Sequence, residues 1–160
     1  MNKALRDAFG RFATGVTVVT TRYQDEDIGM TVSSFNTVSL EPAMALWNIQ
    51  RDAHSLEAFH NADGYTVSVL SAEQGELAMR FTQGDYADRF AAIESQRAPS
   101  GRVIVPGCVA WFDCDLHQVI EAGDHDILLA HIKDYASSED GEGLVFERSQ
   151  FGLTQPLPVI

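Results

Sequence analysis

The sequence is poor in basic residues, with 11 Lys and Arg against 23 Asp and Glu and a formal net charge of −12. Proteins that bind nucleic acid use Lys and Arg to displace counterions from the phosphates, so this balance argues against a nucleic-acid partner and against anionic membrane surfaces. Cysteine is equally scarce. Cys108 and Cys114 lie on one predicted strand, about 20 Å apart at ~3.3 Å per residue, which excludes a disulfide between them.

Long apolar runs are also missing. No stretch approaches the ~20 residues of a membrane span, and the first residues, MNKALRDAFGRF, carry charges where a signal peptide has its apolar core. We therefore expect a soluble, cytoplasmic protein without a membrane partner. At 160 residues and 45% hydrophobic, the chain is long enough for a well-packed core, and a single domain over residues 1–160 is predicted.

Most motifs that carry catalytic chemistry are absent. The sequence contains no GxGxxG after a strand, no GxxxxGK[ST], no HExxH, no CxxC and no GxSxG. The five histidines are scattered, so no metal site is predicted. If the protein is an enzyme, we expect a bound organic cofactor to carry the chemistry.

The pattern that is present predicts mainly β structure. β-branched and apolar runs indicate strands over 16–23, 28–34, 43–49, 65–70, 108–121, 125–135 and 144–146. Short helices are predicted over 4–12 with Asn2 as cap, 56–61 with Ser55 as cap, 72–81 behind a Ser71 and Gln74 capping box, and 86–93. Residues 95–107 read as a loop. Strands joined by hairpins, with only short helices between them, favour a closed antiparallel barrel, since closure removes unpaired edges.

One stretch combines features of a strand and a binding loop. Gly29 to Pro42 reads GMTVSSFNTVSLEP and turns from a strand into a run of small hydrogen-bonding residues. We expect Phe35, Val38 and Leu40 to anchor this run to the core, as a scaffold holds a binding loop. Because Ser, Thr and Asn also favour structural turns, composition leaves a ligand site and a pinned structural loop both open.

Several strings occur in an order that resembles a known family. They are FATGVTVVTT at 12–21, GMTVSSFNTVSLEP, VSVLS at 67–71, LAMRF at 77–81 and GDHDI at 123–127. Together they resemble the flavin reductase family, the small FMN-binding split-barrel reductases that supply reduced flavin to two-component monooxygenases. The resemblance runs from about residue 11 to 135. It implies a mainly β protein with short helices, a split antiparallel β-barrel, and a homodimer that binds one flavin per subunit near the subunit interface.

The same resemblance implies which residues bind the cofactor. Four would line the isoalloxazine ring and ribityl chain, two would offer main-chain groups to the ring edge, and four would lie toward the ribityl and phosphate end: Thr31, Val32, Ser33 and Ser34; Ser39 and Leu40; Asn48, Ser55, Arg80 and Phe81. His125 of the GDH string would lie near the nicotinamide as the candidate catalytic residue. Its role would be positioning, because hydride transfer depends on stacking of the two rings.

For three of these residues, a structural role without a ligand contact remains open. Ser55 fits a plain helix cap, Arg80 an ordinary surface residue and His125 a hairpin residue. The implied activity is an NAD(P)H:flavin oxidoreductase that transfers hydride from NADH or NADPH to FMN or FAD and supplies a partner monooxygenase, directly or through diffusing reduced flavin. NADH is favoured because few basic residues are available for the extra phosphate of NADPH. The alternatives are a non-catalytic flavin or small-ligand barrel, and a flavoprotein whose tightly held FMN reduces another acceptor.

Overall fold

A computed structural model describes residues 2–94 and 96–158 of the chain. The helices are short: α1 (Lys3–Phe9), α2 (Leu56–Asn61), α3 (Gly75–Arg80) and α4 (Tyr86–Phe90). The strands are β1 (Thr14–Gly15), β2 (Thr17–Tyr23), β3 (Glu26–Val32), β4 (Asn36–Leu40), β5 (Ala43–Gln50), β6 (Gly64–Val69), β7 (Gln96–Arg97), β8 (Val103–Ile104), β9 (Ala110–Ala122), β10 (His125–Ser137), β11 (Val145–Glu147) and β12 (Gln150–Gly152). Within these described ranges, no helix has the length and apolar character needed to cross a bilayer.

A seven-stranded antiparallel sheet in the order β3-β2-β6-β9-β10-β5-β4 forms the body of the fold. Its longest ladder joins β9 and β10, and the tight turn between them includes Gly123 at φ 68°. The strands predicted for these segments and the turn at 122–124 are confirmed. Small sheets of β1-β11-β12 and β7-β8 lie beside the main one.

The sheet wraps around one apolar core. Buried residues from six of its strands share a single cluster: Val19, Ile28, Val32, Trp47, Ile49, Tyr65, Val67, Cys114, Leu128 and Ala130. The Tyr65 hydroxyl spans the interior and donates to the carbonyl oxygen of Leu128 at 2.8 Å. Because one cluster draws on strands from both halves of the sheet, the sheet must curve into a barrel.

The closed barrel that the strand pattern favours is wrong, because β3 and β4, at the two ends of the sheet, do not pair with each other. The gap is bridged by a side chain instead. The Ser34 hydroxyl, just after β3, accepts from the Asn48 main-chain N–H at 3.0 Å and donates to the Asn48 carbonyl oxygen at 3.2 Å. The barrel is therefore split, as the resemblance implies, and Ser34 lies at the split.

The polar run after β3 is a strand rather than the expected loop. β4 pairs with β5 from Asn36 opposite Leu46 to Leu40 opposite Ala43. Only one of the three expected anchors packs inward: Phe35 stacks on Phe112 with ring centroids 5.6 Å apart. Leu40 is 94% exposed and Val38 47% exposed, so neither pins the segment. Ladder bonds to the edge of β5 hold it, which local propensity does not reveal.

The helix starts follow the sequence signals only in part. Asn2 caps α1 as predicted, with its side chain accepting from the Leu5 N–H. Ser55 makes no capping bond, because its hydroxyl donates to the Met30 sulfur at 3.4 Å. The capping box forms one bond, from the Ser71 N–H to Gln74 Oε1 at 2.9 Å, but α3 begins only at Gly75.

Other boundaries differ from the prediction. Residues 96–104 form the β7-β8 hairpin rather than a plain loop, while Ser95, where that loop was expected to begin, lies outside the described residues. The strand expected from Cys108 begins at Ala110. The helix expected to reach residue 93 ends at Phe90, and β12 was not predicted. Tertiary pairing sets these limits, since strand and helix ends are the weakest part of a local pattern.

Asp113 departs from the strand alternation. The pattern places it on the face opposite buried Cys114, yet both residues are buried. The Asp113 carboxylate is neutralised by Arg102 at 3.0 Å and also accepts from the hydroxyls of Thr66 and Ser100. A buried carboxylate is tolerated where it is paired and hydrogen-bonded in this way.

Candidate functional site

A cleft of about 500 Å³ opens beside the split in the barrel, within the size range of small-molecule sites. We call it the Ser34 cleft. Its lining comes from the end of β3 and the following turn, from β5, and from the β9-β10 hairpin: Met30, Thr31, Val32, Ser33, Ser34, Asn48, Gln50, Ala122, His125 and Ile127.

Strand register brings the distant members of this lining together. In the β5-β10 ladder, Asn48 pairs with Ile127 and Gln50 with His125. Because alternate residues of a strand point to opposite faces, these four share the outer face that forms the cleft wall. The residues between them, Ile49 and Asp126, are buried on the inner side.

Asn48 carries an unsatisfied polar atom in this cleft. Ser34 occupies the main-chain N–H and carbonyl of Asn48, but its side-chain Oδ1 is buried without a hydrogen-bond partner. A buried acceptor left unpaired costs ~1–3 kcal/mol, and such atoms in native proteins call for an explanation. A ligand N–H bound in the cleft would supply the missing partner.

His125 stands on the cleft wall with its ring oriented by a neighbouring carboxylate. Its Nδ1 lies 2.8 Å from Oδ1 of Asp124. The hydrogen bond from His125 lowers the pKa of Asp124 below its ordinary value. An ionised Asp124 can accept a hydrogen bond from Nδ1–H, which orients the imidazole ring on the cleft wall.

A second cavity, of about 860 Å³, continues from the first. We call it the Ser55 cavity. The two share Met30 and Thr31 in their linings, so they form the ends of one groove. The rest of the Ser55 cavity lies between β3, the start of α2 and the α3-α4 segment, with these lining residues: Glu26, Asp27, Ala53, His54, Ser55, Phe81, Thr82, Gly84, Asp85, Tyr86, Ala87, Arg89 and Phe90.

Arg89 gives the Ser55 cavity a positive charge that its own contacts do not neutralise. Its three guanidinium nitrogens donate to the main-chain carbonyls of Gln83, Gly29 and Gly84 at 3.1, 2.7 and 3.2 Å. The guanidinium carbon also lies 4.9 Å from the ring centroid of Tyr86. A rigidly held cation of this kind is suited to a phosphate.

One of the acidic residues that line the Ser55 cavity, Asp27, is paired with arginines outside the cavity. Asp27 makes a bond of 2.8 Å to Arg97 and one of 3.0 Å to Arg22. The hydrogen bond from Arg97, followed by that from Arg22, holds the pKa of Asp27 below its ordinary value of 3.8. Asp27 therefore does not cancel the charge of Arg89.

The structure gathers most of the residues named from the sequence, but not all of them. Thr31, Val32, Ser33, Ser34, Asn48 and His125 line the Ser34 cleft, and Ser55 and Phe81 line the Ser55 cavity. Phe81 is fully buried in a second core cluster, and its carbonyl accepts from the Thr31 N–H at 3.3 Å. Its side chain therefore serves packing as well.

Ser39, Leu40 and Arg80 line neither part of the groove. Ser39 pairs with Met44, four residues from Asn48 along β5, or about 13 Å at ~3.3 Å per residue. Arg80 is exposed in an adjacent surface depression that contains Glu76 and Asp88 and is also bordered by Arg89.

Sequence reasoning missed several lining residues. Gln50 lies two positions after Asn48 on a strand, so its place on the same face was available from alternation. Met30, at the junction of the two cavities, could have been found from its place just before Thr31. No local signal marks Arg89, since carbonyls from two separate segments define its position.

The groove beside the split in the barrel contains hydroxyls, an unpaired amide oxygen and an arginine without an ion-pair partner among the described residues. Such a groove is suited to an elongated polar ligand with an anionic end. The family model described as "Flavin reductase like domain" matches residues 9–154. The chain therefore belongs to the flavin reductase like domain family.

Individual relatives agree with this membership. The chain is 37% identical over 151 residues to the FMN reductase (NADH) SmoA of Agrobacterium fabrum, covering 94% of this chain and 85% of SmoA. It is also 37% identical over 137 residues to the stachydrine N-demethylase reductase subunit Stc3 of Rhizobium meliloti, covering 85% of this chain and 59% of Stc3. The chain thus spans little more than half the length of that relative.

A solved structure shows the same fold. The NADH:FAD oxidoreductase SgcE6 of Streptomyces globisporus superposes with a TM-score of 0.91 at 34% identity, covering 97% of this chain and 95% of that one. SgcE6 has also been solved in complex with NAD and FAD fragments, with a TM-score of 0.92 at 32% identity over 99% of this chain and 96% of that one.

Proposed function

We propose that this protein is an NAD(P)H:flavin oxidoreductase that transfers hydride from NADH to FMN or FAD. The observation that carries the proposal is the Ser34 cleft, where Asn48 presents an unpaired buried oxygen beside Ser34 and on the same cleft wall as His125. Bound flavin would accept the hydride on its ring. The chain's own residues would bind and orient the two rings: Asn48 Oδ1 would accept a hydrogen bond from a ring N–H, and His125 would contact the nicotinamide.

The groove suits the two ends of a flavin nucleotide. The Ser34 cleft would hold the ring, and the ribityl chain would pass Met30 and Thr31 into the Ser55 cavity. Arg89 would then face the phosphate, with Ser55 beside it. The resemblance assigns the phosphate to Arg80 instead. Both arginines border one surface depression, but only Arg89 also lines the Ser55 cavity, which favours Arg89.

Paired variants decide between the two arginines. Arg89→Met should weaken FMN binding about tenfold or more, because a charge-assisted contact contributes ~1.5–3 kcal/mol, and should weaken riboflavin binding far less. Arg80→Met is the matched control. If Arg80→Met produces the phosphate-dependent loss and Arg89→Met does not, the assignment reverts to Arg80. Equilibrium titration of flavin fluorescence measures both.

The preference for NADH follows from charge. The described part of the groove contains several acidic residues, among them Glu26 and Asp85, and the whole chain carries −12. The 2′-phosphate of NADPH usually requires a basic partner. We expect a lower KM for NADH than for NADPH. The large Ser55 cavity leaves room beyond the phosphate, which supports acceptance of FAD beside FMN.

A homodimer is the proposed assembly, with residues 1–160 as one domain in each subunit. Large apolar side chains are exposed on α1 and just after it, on the edge strand β4 and on β10: Leu5 51%, Phe9 72%, Phe12 78%, Leu40 94% and Tyr135 67%. Exposed apolar surface of this extent marks an interaction site, and an open strand edge is usually covered. Contact of Ser39 and Leu40 with flavin would then require the cleft of a second copy.

If β4 lies at the dimer interface, a substitution that weakens dimerisation should also weaken flavin binding. Leu40→Lys should shift the protein to monomer in light scattering and weaken flavin binding in the same concentration range. Val38→Thr, on the same strand, should do neither. A dimer that persists in Leu40→Lys with unchanged flavin affinity would show that β4 does not lie at the interface.

The proposed partner is a flavin-dependent monooxygenase that receives reduced flavin, and the proposed compartment is the cytoplasm. Relatives named as the reductase component or subunit of a flavin-dependent monooxygenase support the partner. The free thiols of Cys108 and Cys114 fit a reducing compartment. Steady-state kinetics separate a flavin-releasing reductase from a flavoprotein that acts on another acceptor. The flavin-releasing reductase uses FMN as a saturable substrate. The flavoprotein purifies with bound flavin, and its rate does not depend on added FMN.

The direct test measures flavin binding and flavin-dependent NADH oxidation by the purified protein. Binding with NADH oxidation supports the reductase. Binding without oxidation would identify a non-catalytic flavin barrel, and absence of both would overturn the proposal. Asn48→Ala should weaken flavin binding about fivefold to a hundredfold, the equivalent of the ~1–3 kcal/mol contact it removes.

A further inference from the structure

A buried carboxylate lies directly behind the cleft wall. Asp126 follows His125 on β10 and is only 2% exposed. Strand alternation turns it to the inner face, between Ile49 on β5 and Glu121 on β9. Burying a carboxylate costs several kcal/mol unless it is well paired, so its presence beside His125 requires an explanation.

The partners of Asp126 hold it by charge more than by hydrogen bonds. Its Oδ1 lies 3.5 Å from Arg51 Nε, and its Oδ2 lies 3.1 Å from His60 Nε2. Neither Asp126 Oδ1 nor His60 Nε2 achieves hydrogen-bond geometry. Such a cluster is a weak source of stability, since the gain from pairing does not exceed the cost of desolvation.

Arg51 connects this cluster to both sides of the β9-β10 turn. Its main-chain N–H donates to the Asp124 carbonyl oxygen at 3.0 Å. Its Nη2 bonds to Glu121 Oε1 at 3.3 Å. Asp124 in turn bonds to the His125 ring. The residues on both sides of His125 are therefore tied to one arginine at the end of β5.

We propose that Arg51 and Asp126 are positioning residues that hold the 122–125 hairpin, and with it the imidazole of His125, against the Ser34 cleft. This inference rests on the function proposed above, in which His125 contacts the nicotinamide. Strand pairing with Gln50 and Ala122 holds the backbone of His125. The turn itself, residues 122–124, is exposed and belongs to neither apolar cluster of the described residues, so the polar contacts of Arg51 add to what fixes it.

The mechanism predicts an effect on hydride transfer rather than on flavin affinity. Flavin would be held mainly by β3, β5 and the Ser55 cavity, while the hairpin contributes Ala122 and His125 to one side of the Ser34 cleft. Nicotinamide placement depends on the hairpin. Displacement by about 1 Å at a reacting pair can cost ~100-fold in rate.

The experiment compares Arg51→Met and Asp126→Asn with the wild-type protein. Arg51→Met keeps the length of the side chain and its main-chain bond, and Asp126→Asn keeps its shape. Arg148→Met is the control, because Arg148 forms an exposed ion pair with Glu147 away from the groove. Three quantities are measured: the flavin Kd, the steady-state constants for NADH, and hydrogen–deuterium exchange of the 122–126 amides.

We expect both variants to lower kcat/KM for NADH by about 10- to 100-fold, to leave the flavin Kd within about twofold, and to speed amide exchange in the hairpin. The double variant should be no worse than the more impaired single variant, since both act through one contact. Unchanged kcat/KM, unchanged exchange in the hairpin, or an equal loss of flavin affinity would each overturn the inference.

Failure of the proposed function has a different signature. In that case the wild-type protein itself would not oxidise NADH. Amide exchange in the hairpin would still test whether Arg51 and Asp126 hold it, and unchanged exchange in both variants would overturn the structural part of the inference.

Discussion

Ser34→Ala is the substitution that tests how the barrel is held at its split. β4 pairs with β5 only as far as Leu46. Beyond that point the edge of β5 has no strand beside it, and the Ser34 hydroxyl takes the place of the missing partner by bonding to both the N–H and the carbonyl of Asn48. An alanine at 34 leaves both groups without these bonds in a half-buried position.

The size of the effect follows from the contacts. Each hydrogen bond contributes ~0.5–1.5 kcal/mol net, and an unpaired buried donor costs ~1–3 kcal/mol. We expect a loss of about 2 kcal/mol in the free energy of unfolding. For a chain of this length, that corresponds to a fall in Tm of roughly 4–8 °C.

Thermal and urea unfolding, followed by circular dichroism at one protein concentration, measure this loss. Ser33→Ala is the matched control for stability, because Ser33 is the exposed neighbour. The reasoning is refuted if the two variants unfold within about 1 °C of each other. It also predicts that flavin binding weakens in Ser34→Ala, since Asn48 and the end of β3 are no longer held together.

Three further outcomes concern stability and reactivity. The hydrogen bond from Arg97 holds the pKa of Asp27 below 3.8. The contribution of ionised Asp27 to the free energy of unfolding is therefore complete above about pH 4 and is lost as the pH falls further. In urea titrations, the stability gap between wild type and Asp27→Asn should shrink toward about pH 2. Gly64→Ala should cost more than ~3 kcal/mol, because a Cβ would overlap the Cys114 carbonyl oxygen, whereas Gly15→Ala meets nothing within 4 Å; equal melting temperatures would contradict this. Burial raises the pKa of the Cys114 thiol to about 12, so a thiol reagent at about pH 8 should label it only after unfolding.

Much of the barrel could be predicted from the sequence because each of its main strands is a β-branched or apolar run that can be recognised without its neighbours. β2 is a run of β-branched residues, and Met44 to Trp47 in β5 is continuously apolar. Such segments form strands in nearly any context that buries them. The strands that were missed are those whose existence depends on a partner. β4 has three polar residues, Asn, Thr and Ser, among its five, and it forms because the edge of β5 supplies its hydrogen bonds.

In the candidate site, too, some residues could be identified from the local sequence and others only from their tertiary contacts. Except for Asn48, the residues of the Ser34 cleft named from the sequence belong to short colinear strings, and the family resemblance of those strings assigned them to one site. Arg89 belongs to no such string. Its orientation results from carbonyls at Gly29 and Gly84, and the Arg51 contact to Asp126 likewise joins separate strands. Only tertiary structure shows which arginines face the groove.

The core and the candidate site depend on one register. Along β5 and β10, the residues that face the interior, Trp47, Ile49 and Leu128, alternate with those that face the cleft, Asn48 and His125. A slip of one residue in this ladder would send the apolar set outward and the polar set into the core. Packing of the interior therefore also fixes the distance between the Asn48 amide and the His125 imidazole. Enlarging the core at Ile49 should disturb nicotinamide placement even though that side chain does not reach the cleft.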